Sequence, residues 1–166
     1  LGDSVAVFGF RSWGRKLVHV VRLKGHLERW SGRVAESFRL LEPVGYTRIG
    51  AAIRHGTRLL THSVRLPNRL LVLITDGIAY DQDYEQSFGE GDTRKSLLEA
   101  KAAGTACVCL CIGSGVHTEK LKEIFGAANI LAVDDPEQIV GHIRMVCKQA
   151  VASVSKRRLI PVDRSR

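Results

Sequence analysis

The sequence predicts an α/β fold: a mostly parallel, doubly wound sheet with an antiparallel edge strand and helices on both faces. Three observations predict it. Two short, almost wholly apolar runs, Leu70–Thr75 and Thr105–Ile112, have the pattern of parallel strands covered on both sides. From Tyr46 onward such runs alternate with segments whose apolar residues return every three or four positions. At the front, two apolar segments flank a short turn, as in a hairpin.

Taken in order, Ser4–Phe10 reads as a buried strand, Arg11–Arg15 as a turn around Gly14, and Leu17–Leu23 as a second strand ended near Gly25. Ser31 is placed to cap a helix with Val34, Phe38 and Leu41 on one face, ending before Pro43. Ile49, Ala52, Ile53, Gly56, Leu59 and Leu60 predict a helix from Thr47 to about Ser63, broken by Pro67-Asn68. The strand Leu70–Thr75 stops at Asp76-Gly77, and a polar loop covers Ile78–Gly91. Asp92 is expected to cap a helix running to Ala103 and closed by Gly104. The strand Thr105–Ile112 follows, then a short helix capped by Thr118 with Leu121, Ile124 and Phe125 and stopped at Gly126, then the strand Ile130–Val133. Asp135-Pro136 opens a last helix, with Pro suited to its first turn. Its stripe is Ile139, Val140, Ile143, Val146, Ala150 and Val154. The reading is one domain over residues 1–155 and a basic tail over 156–166.

Composition is ordinary for a globular domain: 45% hydrophobic and 25% charged in 166 residues. No apolar run approaches the ~18 residues of a membrane span, and no signal peptide is evident. The chain begins at Leu1 rather than Met, as a fragment would. The formal charge of +8 is unevenly placed, with 13 basic and 4 acidic residues before position 75, and 7 basic and 12 acidic from 75 to 155. Such polarity suits steering toward a charged partner. The basic residues are spread over several elements without an aromatic-studded strand, so a solvated surface is preferred to a nucleic-acid face. Cys107, Cys109 and Cys111 alternate along one strand, about 6.6–7 Å apart per step. That suits neither a metal knuckle nor an easy disulfide, and predicts small buried hydrophobes in the reducing cytoplasm.

Ligands of doubly wound sheets gather at the carboxyl ends of the strands. Asp76 sits at such an end, and Thr47 stands at the start of the helix leading into that strand. A hydroxyl and a carboxylate are hard oxygen donors that suit Mg²⁺ completed by waters. Taken alone, Asp76-Gly77 is also an ordinary turn and Thr47 an ordinary cap.

Gly2–Ser12, Tyr46–His55 and Leu70–Gly77 together resemble a von Willebrand factor A domain, and more narrowly the carboxyl-terminal domain of NorD-type proteins, accessory factors of nitric oxide reductase. Asp83-Tyr84-Glu85, Phe88-Gly89, Asp92–Lys95 and Glu99-Ala100 are similar to the stretch after the strand aspartate in that family, and Ile124–Gly126 to a later motif. The CbbO subunit of a rubisco activase carries a similar domain. The resemblance implies a metal-ion-dependent adhesion site, in which Thr47 and Asp76 match the second and third elements and Mg²⁺ is the implied cofactor. The first element, Asp-x-Ser-x-Ser, is absent, and with it the strand that the family places at the centre of the sheet. Direct pairing of the flanking strands, or association through their edges, is the expected consequence. The tail Leu159–Ser165 faintly resembles the missing piece, but Pro161 does not suit a central strand. The partners implied are a MoxR-type AAA+ ATPase and a target enzyme complex.

Enzyme readings are weaker. Asp81-Gln82-Asp83 offers a carboxylate pair of the kind used by Mg²⁺-dependent phosphotransferases, set one turn beyond the strand end. There is no Gly-x-x-x-x-Gly-Lys loop and no Gly-x-Ser-x-Gly elbow, and the six histidines lack His-Glu-x-x-His spacing. A non-enzymatic interaction module is the expectation.

Overall fold

The computed structural model describes residues 4–62, 68–84, 86–113 and 118–133, together with Lys148 and Ala152. Two strands open the chain, β1 (Val7–Ser12) and β2 (Val18–Lys24), paired antiparallel from Val7↔Lys24 to Ser12↔Val18. Gly14, at φ 73°, forms the turn between them, a backbone angle that costs glycine little. The first strand starts three residues later than the pattern placed it and carries on to Ser12, since Arg11 and Ser12 keep their ladder partners.

Helix α1 (Gly32–Arg39) is capped by Ser31, whose hydroxyl accepts from the Val34 backbone N–H at 3.4 Å. Val34 is buried, while Phe38 leans on the Trp30 ring, centroids 5.7 Å apart. Helix α2 (Ile49–His62) buries Ile49, Gly50, Ile53 and Thr57. Strand β3 (Arg69–Thr75) pairs in parallel with β4 (Thr105–Ile112), which pairs in parallel with β5 (Ile130–Val133). Between them lie α3 (Gln86–Ala102) and α4 (Thr118–Phe125). Gly104 and Gly126, both at positive φ, close these helices.

The core lies where α2, α3 and α4 meet one face of the parallel sheet: Ile53, Leu73, Ala100, Cys109, Cys111, Leu121 and Phe125 pack together. On the other face Ala106 and Val108 pack with Leu70 and Leu131. Burial pushes the Cys107 and Cys109 thiols up to about 12, as expected of inert packing thiols.

Three details depart from the sequence pattern. Helix α3 begins at Gln86, so Asp92 lies inside the helix rather than capping it; its carboxylate serves Tyr84 and Arg54 instead. Strand β3 is not covered on both faces, for Ile74 is 56% exposed. Direct pairing of β1 with β3 is not observed: among the described residues β1–β2 and β3–β4–β5 are separate sheets. They are joined at one end by a two-residue strap. Tyr46 exchanges backbone hydrogen bonds with Ser12 (2.8 and 2.9 Å), and Thr47 exchanges them with Tyr80 (2.7 and 3.0 Å). Gly45, at φ 88°, lets the chain enter the strap against the Trp13 ring. The helix expected over 136–154 lies outside the described residues apart from Lys148 and Ala152, both helical and exposed. The tail from Lys156, including Leu159–Ser165, also lies outside them.

Candidate functional site

The strap lies at the carboxyl ends of β1 and β3. Asp76 follows directly on β3, where the Thr75 hydroxyl accepts from the Gly77 N–H at 3.2 Å and donates to the Gly77 carbonyl at 2.8 Å. Four residues on, Tyr80 holds Thr47 through the two backbone bonds of the strap. Thr47 is thereby tied to the loop that follows Asp76. Asp76 is exposed and Thr47 half-buried, and neither side chain makes a hydrogen bond or ion pair among the described residues.

Two hard oxygen donors without a protein partner among the described residues fit part of a hydrated Mg²⁺ site. They do not complete one: among the described residues no group of three or more His, Cys, Asp or Glu is placed to hold a metal ion. The first family element is also missing from the sequence, which contains no Asp-x-Ser-x-Ser.

A carboxylate of a different kind anchors the rim. Asp81 is fully buried and accepts from the Gly14 N–H at 2.8 and 3.0 Å, from the Gln82 N–H at 2.7 Å and from Arg48 Nε at 2.7 Å. Arg48 is itself buried, donates from Nη2 to the Gln82 carbonyl at 2.5 Å, and stacks over the Tyr84 ring at 4.5 Å. Burial raises the Asp81 carboxyl, but Ser12, Arg48 and the Gly14 and Gln82 amides outweigh it and hold the carboxyl below its ordinary value. Ser12 Oγ is fully buried beside it without a hydrogen bond of normal geometry. One ion pair thus ties three separate segments together: the β1–β2 turn, the start of α2 next to Thr47, and the loop after Asp76.

This arrangement removes Asp81 from metal-dependent phosphotransfer. Its lone pairs are spent on four hydrogen bonds from three donors, and Asp83 is an exposed loop residue at φ 56°. Sequence reasoning missed the pair because its partners are 33 and 67 residues apart. One signal was present. Arg48 precedes the first turn of α2, where the helix dipole disfavours a cation, and a buried carboxylate is what resolves that conflict.

A second network fixes the loop to the helices. Tyr84 donates its hydroxyl proton to Asp92 and accepts from the Gly50 N–H at 3.3 Å. Arg54 reaches Asp92 at 2.8 Å and Glu99 at 2.6 Å. Around the rim Trp13, Tyr46 and Tyr80 are 38, 37 and 53% exposed.

Comparison with known proteins gives three findings. The family model of the von Willebrand factor type A domain matches residues 34–144. Among curated proteins, the chain is 34% identical over 139 residues to Protein NorD of Stutzerimonas stutzeri, covering 83% of this chain and 22% of that protein. It is 36% identical over 140 residues to an uncharacterized protein of Pseudomonas aeruginosa, covering 84% and 22%. The chain thus spans about a fifth of the length of these relatives. Among solved structures, proximal thread matrix protein 1 from the mussel byssus matches with a TM-score of 0.60 at 17% identity, over 90% of this chain and 38% of that one. That likeness speaks for the fold alone.

Proposed function

Because the chain belongs to the von Willebrand factor type A domain family, we propose that its rim is the partner-binding face of a NorD-like accessory protein, with Thr47 and Asp76 as part of a metal-ion-dependent adhesion site. The observation that supports this reading is the strap, which ties Thr47 to the loop after Asp76, the hydroxyl and the carboxylate having no partner among the described residues. The relatives named NorD support the accessory role. Mg²⁺, when bound, would offer a coordination position to a partner carboxylate. The chain's own contribution is to hold the segment of Thr47 against the loop that follows Asp76, through Arg48–Asp81 and the strap. The role is one of interaction rather than catalysis, in the cytoplasm, toward a MoxR-type AAA+ ATPase and a target enzyme complex, nitric oxide reductase in the NorD case. Among the described residues no helix is long and apolar enough to cross a membrane.

Mg²⁺ or Mn²⁺ titration of this chain, and of a longer form extended upstream through the expected Asp-x-Ser-x-Ser, tests the reading. Saturable binding by the longer form only, lost in Asp76→Ala, is expected. Equal binding by both forms, or binding indifferent to Asp76→Ala, refutes it.

A further inference from the structure

The rim carries more than two oxygen donors. Trp13, Tyr46 and Tyr80 lie near one another along the strap. The Trp13 ring lies against Gly45, so close that a Cβ there would fall 3.2 Å from a ring carbon. Tyr46 is next in the chain, and its ring stands 5.7 Å from that of Tyr80. Thr47 sits between these tyrosines in the strap, and Asp76 lies four residues before Tyr80. All three rings are more than a third exposed although each backbone is held in place, by the hairpin turn or by the strap.

The neighbouring charge is positive. Arg11 stacks over Trp13 at 5.0 Å. Arg15 and Lys16 project from the turn, exposed and without an ion pair among the described residues. Fixed, half-exposed aromatic rings provide contact area at little conformational cost, and an unneutralised basic turn selects acidic partners.

We infer that the Trp13–Tyr46–Tyr80 band and the basic turn beside it form a docking surface for an acidic protein segment that carries an aromatic or large apolar residue next to its carboxylates. The inference rests on reading this rim as the partner-binding face and adds what the partner must look like. Single-stranded nucleic acid also stacks on rings flanked by cations. A phosphodiester chain, however, is charged at every residue and would have to pass the exposed Asp76 and Asp83. A peptide charged at every second residue brings half that charge past them.

The test measures anisotropy of labelled twelve-residue probes on the full chain. One is Gly-Glu-Phe-Glu repeated three times, the second replaces Phe by Ser, the third replaces Glu by Lys, and the fourth is a twelve-nucleotide oligothymidylate. Each is run with Mg²⁺ and with EDTA. The first peptide is expected to bind at least tenfold more tightly than the other probes. Trp13→Ala and Tyr80→Ala are each expected to weaken it about tenfold, and Arg15→Glu with Lys16→Glu to weaken it and flatten its salt dependence. Tyr80 is the more exposed ring, so its variant remains informative should Trp13→Ala destabilise the fold; melting curves check both.

A first peptide no tighter than the Ser or Lys version, or an oligonucleotide that binds more tightly, overturns the inference, as does indifference to both aromatic substitutions. The two readings fail separately. If EDTA and Asp76→Ala leave peptide binding unchanged in the form extended upstream through Asp-x-Ser-x-Ser while Tyr80→Ala weakens it, the docking surface stands and the adhesion site falls. If Asp76→Ala abolishes binding and neither aromatic matters, the docking surface falls.

Discussion

Replacing Asp81 by Asn keeps the shape of a fully buried side chain and removes its charge. The Arg48 guanidinium, 8% exposed at the side chain, is then left buried without its counter-ion. Breaking a buried pair from one side costs about 3–5 kcal/mol. Asn retains an oxygen for the Gly14 and Gln82 amides, so the lower end, about 3 kcal/mol, is expected. In a domain of this size that corresponds to a fall of roughly 6–12 °C in melting temperature. The pH dependence sharpens the test. The Asp81 carboxyl is held below its ordinary value of 3.8, so its stabilisation is fully present above that value and is lost as pH falls through the folded-state value. Urea unfolding of wild type and Asp81→Asn should therefore differ by the full amount at pH 7 and converge in acid. The double variant Asp81→Leu with Arg48→Met, which removes both charges, should recover much of the loss. A deficit under about 1 kcal/mol at pH 7, or the same deficit at pH 3 and pH 7, would refute the assignment of Asp81 and Arg48 as the latch of the rim.

Two glycines in helices should respond in opposite directions, read by chemical denaturation. A Cβ on Gly50 would lie 2.8 Å from the Tyr84 hydroxyl and inside the Asp92 carboxylate, so Gly50→Ala should cost about 1–3 kcal/mol. Gly91 is exposed in α3 with nothing within 4 Å, so Gly91→Ala should stabilise by about 0.5–1 kcal/mol. Burial, and then the Asp92 carboxylate, push the Tyr84 phenol up to about 12. Its contribution is therefore present below about 10 and lost as pH rises toward 12. Ultraviolet titration should show one of the three tyrosines ionising late and that late phase missing in Tyr84→Phe, which should also cost about 1–3 kcal/mol; three tyrosines ionising together would contradict the network.

What was legible in the sequence was local. The Ser31 cap, the three- and four-residue spacing from Ile49 to Leu60, the apolar run before Asp76 and the closing glycines 104 and 126 each act within a turn or two of chain. The start of α3 was illegible because Ser87–Gly91 carries two glycines and reads as a loop. Gly89 is there because the helix passes the Tyr84 carbonyl so closely that a Cβ would fall 2.7 Å from it. Ile74 looked like a core residue because an apolar pattern does not say which neighbours are present to cover it. For the candidate site, position at an element end alone left Asp76 an ordinary turn residue and Thr47 an ordinary cap, and the family resemblance singled them out. The Arg48–Asp81 pair was not, since periodicity says nothing about contacts between positions 14, 48 and 81, and the aromatic band was not, since Trp13, Tyr46 and Tyr80 come from three separate segments.

The strap has a consequence for how this rim must behave. Four short backbone bonds run from Ser12 through Tyr46 and Thr47 to Tyr80, and Asp81 grips the Gly14 amide alongside them. A displacement of the hairpin turn and a displacement of the threonine therefore load the same linkage. Given the two proposed sites, thermodynamic reciprocity would apply: the factor by which a molecule seated on the turn alters ion affinity at the threonine would equal the factor by which the ion alters affinity at the turn.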